Sequence, residues 1–251
     1  MFYEIIAAAL FPVAILIFYI YYKDIKKPEP VKELLKAFFF GMLSIIVTFF
    51  LLLPIELIGI YPEEIINVWD SFCASFFGAA IPEELAKLFM LWLILRNNRY
   101  FDEKIDGIVY AVCVSLGFAA VENILYLFSN AEDYMSVAKL RGIFSVPGHF
   151  CDGVLMGYYY SLAKFYHKHA TKNKILIIVA PVIAHGLYDF ILFTSGVTIE
   201  TAPLISIALT ILFLIFCNEM WKYCSRRIDE HLERDNEPTV IEVEEQEQIT
   251  E

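Results

Sequence analysis

The chain has 251 residues, 59% hydrophobic and 16% aromatic, with a net charge of −11. That composition excludes an ordinary soluble domain and points to an integral membrane protein, for which the lipid bilayer is a partner and no nucleic-acid partner is expected. Ten of the acids lie from Asp229 onward against Arg234 alone, a balance of −9 that leaves about −2 for the rest of the chain.

Seven apolar stretches are each long enough to cross about 30 Å of hydrocarbon at 1.5 Å per residue: 4–22, 36–60, 68–95, 105–128, 144–163, 174–194 and 201–221. The fold class this implies is all-α, a polytopic bundle of about seven transmembrane helices. The first stretch lacks a basic segment before it and is followed by "YYKDIKK" rather than a cleavage site, so it reads as a retained span and not a signal peptide. Lysines and arginines alternate along the connections. Lys23, Lys26, Lys27, Lys32 and Lys36 fill the first, "YPEEIIN" holds none, and Arg96, Arg99 and Lys104 fill the third. Lys139 and Arg141 accompany Glu132 and Asp133 in the fourth, four lysines fill the fifth, and "TSGVTIE" holds none. The positive-inside rule then expects the N-terminus outside and the C-terminus in the cytoplasm.

The third stretch contains "IPEELAKLFMLW". Pro82 lacks a backbone donor and is expected to break this span into two half-helices, the second aiming its positive end at Glu83 and Glu84. Further ionisable residues follow: Glu122 in the fourth stretch, His149 and Asp152 in the fifth, and His185 and Asp189 in the sixth. Each costs about 2.5–3.5 kcal/mol at a helix centre, so the group needs a reason. Glu83 with Lys87 and His185 with Asp189 are four apart, and His149 with Asp152 three apart, spacings that put each pair on one helix face. Counted at 1.5 Å per residue from the outer ends, Glu122, His149, His185 and Asp189 lie about 9, 8, 12 and 6 Å deep, with Glu83 near the middle. A polar cavity among the third to sixth spans is expected, with Gly78, Gly107, Gly117, Gly148, Gly153 and Gly157 allowing close helix approach.

Adjacent glutamates beside a lysine can hold a water, take its proton and return one to a leaving group. Histidines can donate to a developing oxyanion, with Asp189 orienting His185. That inventory fits peptide hydrolysis. Zinc on His149, His185 and carboxylates is an alternative use, although HExxH is absent and no cofactor is required. Cys151 as a nucleophile is disfavoured among apolar helices, and Cys73, Cys113, Cys151, Cys217 and Cys224 read as small core residues. A non-catalytic scaffold that binds a membrane partner uses the same residues without chemistry, whereas a proton-coupled carrier is disfavoured by the lack of an internal repeat.

The segments "EELAK", "DGIVYAVCVSLGFAAVEN", "PGHFCDGVLMGYYY" and "AHGLYDF" resemble the four motifs of PrsW-type intramembrane proteases, over 68–194. That family is similar to the glutamate-dependent prenyl-protein proteases of the membrane. The resemblance implies catalytic roles for Glu83, Glu84, His149, His185 and Asp189, with Glu83 the water activator and Glu84 its partner. Phe118 and Glu122 match the second motif, and Lys87, Asn123 and Asp152 are supporting residues. Prenyl-processing relatives carry histidine where this chain has Glu122, which argues against prenyl-protein processing. The resemblance further implies a prokaryotic cell membrane and a membrane-anchored protein substrate, such as a single-pass anti-sigma factor, cut near the outer face. Two regions are expected: a membrane protease domain over 1–227 and an acidic, disordered cytoplasmic tail over 228–251. Nothing in the sequence specifies an oligomeric state.

Overall fold

The computed structural model describes residues 2–60 and 62–236 and, among them, contains helices and no strand. In chain order they are α1 (Phe2–Lys23), α2 (Val31–Leu57), α3 (Val68–Cys73), α4 (Ile81–Leu95), α5 (Lys104–Ser129), α6 (Tyr134–Leu140), α7 (Val146–Phe165), α8 (Ala170–Thr198) and α9 (Pro203–Asn236). The π-helical turns Ala74–Ala80 and Arg141–Ser145 join α3 to α4 and α6 to α7 without a break. Seven continuous helical runs therefore cover the seven expected stretches. Five of them, α1, α2, α5, α8 and α9, are uninterrupted helices long and apolar enough to cross a membrane. The chain is an all-α, multi-pass integral membrane protein.

Pro82 does not break the third span. It sits in the first turn of α4, while the preceding Ala80 keeps right-handed helical dihedrals. Pro147 sits likewise in the first turn of α7. A proline withholds one N–H and crowds the carbonyl four residues back. A widened π turn just upstream absorbs both defects and lets the rod continue. The expected exposed positive helix end at Glu83 and Glu84 is consequently absent, because helical residues precede them.

The core is built around α5. Of its membrane-length window 78% is buried, against 11% for α9 and 17% for α2. It is enclosed mainly by α7, α2 and α1. Close approach depends on small residues: a Cβ on Gly157 would meet the Gly107 carbonyl and stand 2.5 Å from the Ile108 Cα, and one on Gly117 would meet the Phe38 carbonyl. The outward faces of α1, α2 and α9 present Phe11, Phe18, Phe50, Leu204 and Ile207, as a lipid-facing surface should.

The expected disorder of the tail does not hold for its first residues. Helix α9 continues to Asn236, with Ile228 and His231 buried, so the first part of the acidic segment is ordered helix. Asp235 explains why: its carboxylate accepts the Lys104 and Ile105 backbone N–H groups, both at 2.9 Å, capping the start of α5. Residues 237–251 of the expected tail lie outside the described residues.

Candidate active site

Helices α4, α5, α7 and α8 bring the dispersed polar residues to one place. Lys87, 1% exposed, is at the centre. Its Nζ donates to Glu84 Oε1 at 2.7 Å, lies 3.1 Å from His149 Nδ1 and stands 3.6 Å from Glu83 Oε2. The expected i,i+4 ion pair of Glu83 with Lys87 is present, and Glu84, three residues from the lysine, lies nearer still because the helix turns it inward and Glu83 toward a cavity. Phe118 places its ring 4.3 Å from the ammonium, adding a cation–π contact, and sets its edge against His149.

The histidines are fixed by their partners. An ammonium can only donate, so His149 Nδ1 accepts from Lys87, and Nε2–H donates to Glu122 Oε2 at 2.8 Å. His185 bonds Glu84 Oε1 through Nδ1 at 2.8 Å and approaches Asp189 Oδ2 through Nε2 at 3.3 Å. The expected i,i+4 pair of His185 and Asp189 is present. The expected pairing of His149 with Asp152 is not: Asp152 turns toward His185, 3.9 Å from its Nδ1, because the cluster is completed between helices and not along one. Asn123 donates to the Ala9 carbonyl at 3.2 Å and accepts from Arg141 Nε at 2.6 Å.

A cavity of about 430 Å³ opens beside this cluster. Glu83, Glu122, His149, Asp152, His185 and Asp189 border it, and Leu140, Phe144, Leu192 and Phe213 supply an apolar wall. Glu84 and Lys87 lie behind the wall. Glu83 Oε2, Glu84 Oε2 and Asp152 Oδ1 are buried without a hydrogen-bond partner among the described residues. Unsatisfied carboxylate oxygens next to a cavity mark where a water or a reacting group would be held. Cys151 is buried and does not border the cavity, in keeping with a core role.

Arg141 also borders the cavity, and sequence reasoning missed it. In the sequence it reads as a connection charge, because it precedes the apolar stretch 144–163. The signal was available: the helical pattern runs upstream through 134–145 with this arginine on its inner side.

Proteins described as the PrsW family of intramembrane metalloproteases match residues 29–217. The chain is 39% identical over 189 residues to Protease PrsW of Oceanobacillus iheyensis, covering 75% of this chain and 83% of that protein. It is 38% identical over 191 residues to Protease PrsW of Bacillus subtilis, with 76% and 83% covered. Protease PrsW of Clostridioides difficile is 34% identical over 198 residues, with 75% and 79% covered. This chain belongs to the PrsW family. It is accordingly a membrane protease, a hydrolase, and the expected resemblance holds. No solved structure matches it.

The PrsW family description implies a metal, and Glu83, Glu84, His149 and His185 offer ligand atoms within 4.8 Å of one another. Their donor chemistry suits zinc. The space between them does not. Zinc would stand about 2 Å from each donor, where the Lys87 ammonium already contacts three of the four. His149 moreover gives its lone pair to Lys87 and its N–H to Glu122, leaving nothing to coordinate. In this arrangement the residues do not fit a divalent ion, and the cation of the cluster is Lys87.

Proposed function

We propose that this PrsW protein is a glutamate-dependent intramembrane endopeptidase in which Glu83 activates a water. The observation that carries the reading is the division of labour in the glutamate pair. Glu84 is locked between Lys87 and His185 with no surface exposed, whereas Glu83 borders the cavity, its Oε2 3.6 Å from the Lys87 ammonium and accepting no hydrogen bond among the described residues. A carboxylate free to accept a proton, held in a water-limited site, is what a general base needs.

In this reading a water held on Glu83 gives it a proton as the water oxygen bonds to the scissile carbonyl carbon. The carbonyl π electrons move onto oxygen. When the tetrahedral adduct collapses, the carbon–nitrogen bond breaks and the departing nitrogen takes the proton from Glu83. His185, with one ring nitrogen on Glu84 and the other facing Asp189, borders the cavity and holds the glutamate pair in place beside the adduct. His149 positions Lys87 and Glu122 and shapes the site. The substrate class is a membrane-anchored, single-pass protein such as an anti-sigma factor, entering against the apolar wall. The alternating loop charges support an outer-side cut, with the N-terminus outside and the C-terminus cytoplasmic.

The test is neo-terminus mapping of membrane proteins in cells carrying the wild-type chain, Glu83→Gln or His149→Ala at equal abundance. One single-pass protein should remain intact only with the variants. Identical profiles in all three would overturn the assignment and leave a scaffold.

A further inference from the structure

Arg141 is held in the π-helical turn that leads into α7. Its Nε donates to Asn123 Oδ1 at 2.6 Å and its Nη2 to Glu122 Oε2 at 2.5 Å, while the guanidinium carbon lies 4.0 Å from the centroid of the Tyr126 ring. The side chain is 14% exposed and borders the cavity. A guanidinium carries five N–H groups in a rigid plane, so donors beyond those two bonds remain for the cavity. Few residues bury an arginine in a membrane without a reason, and π turns recur at functional sites.

The neighbouring donors are already committed. Lys87 serves Glu84 and His149 from behind the wall, His149 uses both ring nitrogens, and His185 spans Glu84 and Asp189. The charge that develops on the peptide oxygen during hydrolysis needs a preorganised donor whose other bonds keep it still. Arg141 is fixed on two sides and stacked on a third, and Glu122 Oε2 joins it directly to His149.

We propose that Arg141 is a catalytic residue, the oxyanion donor of the cavity, with Glu122, Asn123 and Tyr126 as the cradle that aims it. The inference rests on the protease reading. As the water oxygen bonds to the carbonyl carbon, the electron pair that moves to the carbonyl oxygen meets the guanidinium N–H groups. It returns to re-form the carbonyl when the carbon–nitrogen bond breaks, and the guanidinium keeps its protons throughout.

The experiment compares wild type, Glu83→Gln, Arg141→Gln, Arg141→Lys and the Glu122→Gln/Arg141→Gln double variant, purified in lipid nanodiscs. The last leaves no lone carboxylate and guards against misfolding. The probe is a transmembrane peptide carrying the sequence cut in cells, together with its phosphinate analogue, whose tetrahedral anionic centre imitates the adduct. Loss of one oxyanion donor lowers kcat by about 10²–10³-fold. Arg141→Gln and the double variant should do so with KM within about twofold and with a matching loss of affinity for the phosphinate but not for the peptide, and Arg141→Lys should recover part of both. Near-wild-type kcat in both glutamine variants, or equal loss of affinity for peptide and phosphinate, overturns the role of Arg141 while leaving the protease reading intact. Undiminished cleavage by Glu83→Gln instead removes Glu83 as the water activator, and no cleavage by wild type removes the proposed proteolysis; either result takes away the reading of this cavity on which the inference rests.

Discussion

Lys87 carries a charge with almost none of its surface in contact with solvent or lipid, and everything around it is arranged to make that tolerable. Two carboxylates, an imidazole lone pair and an aromatic face surround the ammonium. Removing one member of a buried ion pair leaves the other uncompensated, a loss of about 3–5 kcal/mol. Lys87→Ala should therefore lower the unfolding free energy by about that amount in a detergent denaturation series. Glu83→Gln should change it by less than about 1 kcal/mol, since Glu83 makes no short bond. Equal losses in the two variants would contradict the division of roles between the glutamates. Which residues were ionisable and deep was legible in the sequence, because charge stands out in apolar text. Their partners were not. Helical spacing correctly paired His185 with Asp189, but Asp152 left His149 for His185, a choice made by how α7 meets α8.

At the scale of elements, the two prolines show where sequence rules and tertiary structure part. Pro82 was legible as a local disruption, yet there, as at Pro147, the defect is spread over the preceding turn and the helices stay continuous. Propensity alone does not choose between a break and a wide turn, because neighbouring helices decide which is better packed. The glycines were more readable. Gly157 lies against the Gly107 carbonyl and Ile108 Cα, backbone atoms that cannot rotate away. Gly157→Val should separate α5 from α7 and cost at least about 1–3 kcal/mol, read as a lower thermal midpoint in nanodiscs. Because His149 and Asp152 ride on α7, cleavage should fall in the surviving folded fraction as well. A midpoint matching wild type would refute the proposed contact.

For the whole molecule, the end opposite the cavity is knitted by acids. Asp24, between α1 and α2, is buried and accepts the Glu29 backbone N–H at 3.3 Å. Burial pushes its carboxyl up to about 7, with Glu29, Glu103 and Asp235 adding to the rise and that N–H opposing it. A carboxyl whose folded pKa lies above its unfolded value binds more protons when folded, so its contribution is full below about 4 and is lost as pH rises toward about 7. Asp24→Asn, which keeps the acceptor and removes the titration, should flatten the fall in stability across that window and be the more stable protein at pH 8. Matching slopes for the two proteins between pH 5 and 8 would exclude the effect. This end was the least legible part of the chain: the acidic run suggested a solvated tail, and only the cap that Asp235 makes on α5 reveals that it begins as structure.

The candidate site is also spread widely along the chain. Glu84 and His185, which share a hydrogen bond, are 101 residues apart. During synthesis the glutamates, Lys87, Glu122, Arg141 and His149 all leave the ribosome before α8 does. At about 5–20 residues per second the nascent protein spends several seconds with a cavity that lacks His185 and Asp189. Until α8 enters the bilayer, Glu84 has one fewer donor and the proposed water activator has no complete setting. On the proposed mechanism, a protease assembled in this order would stay idle while its own unfolded spans, and those of other nascent proteins nearby, are most open to being cut.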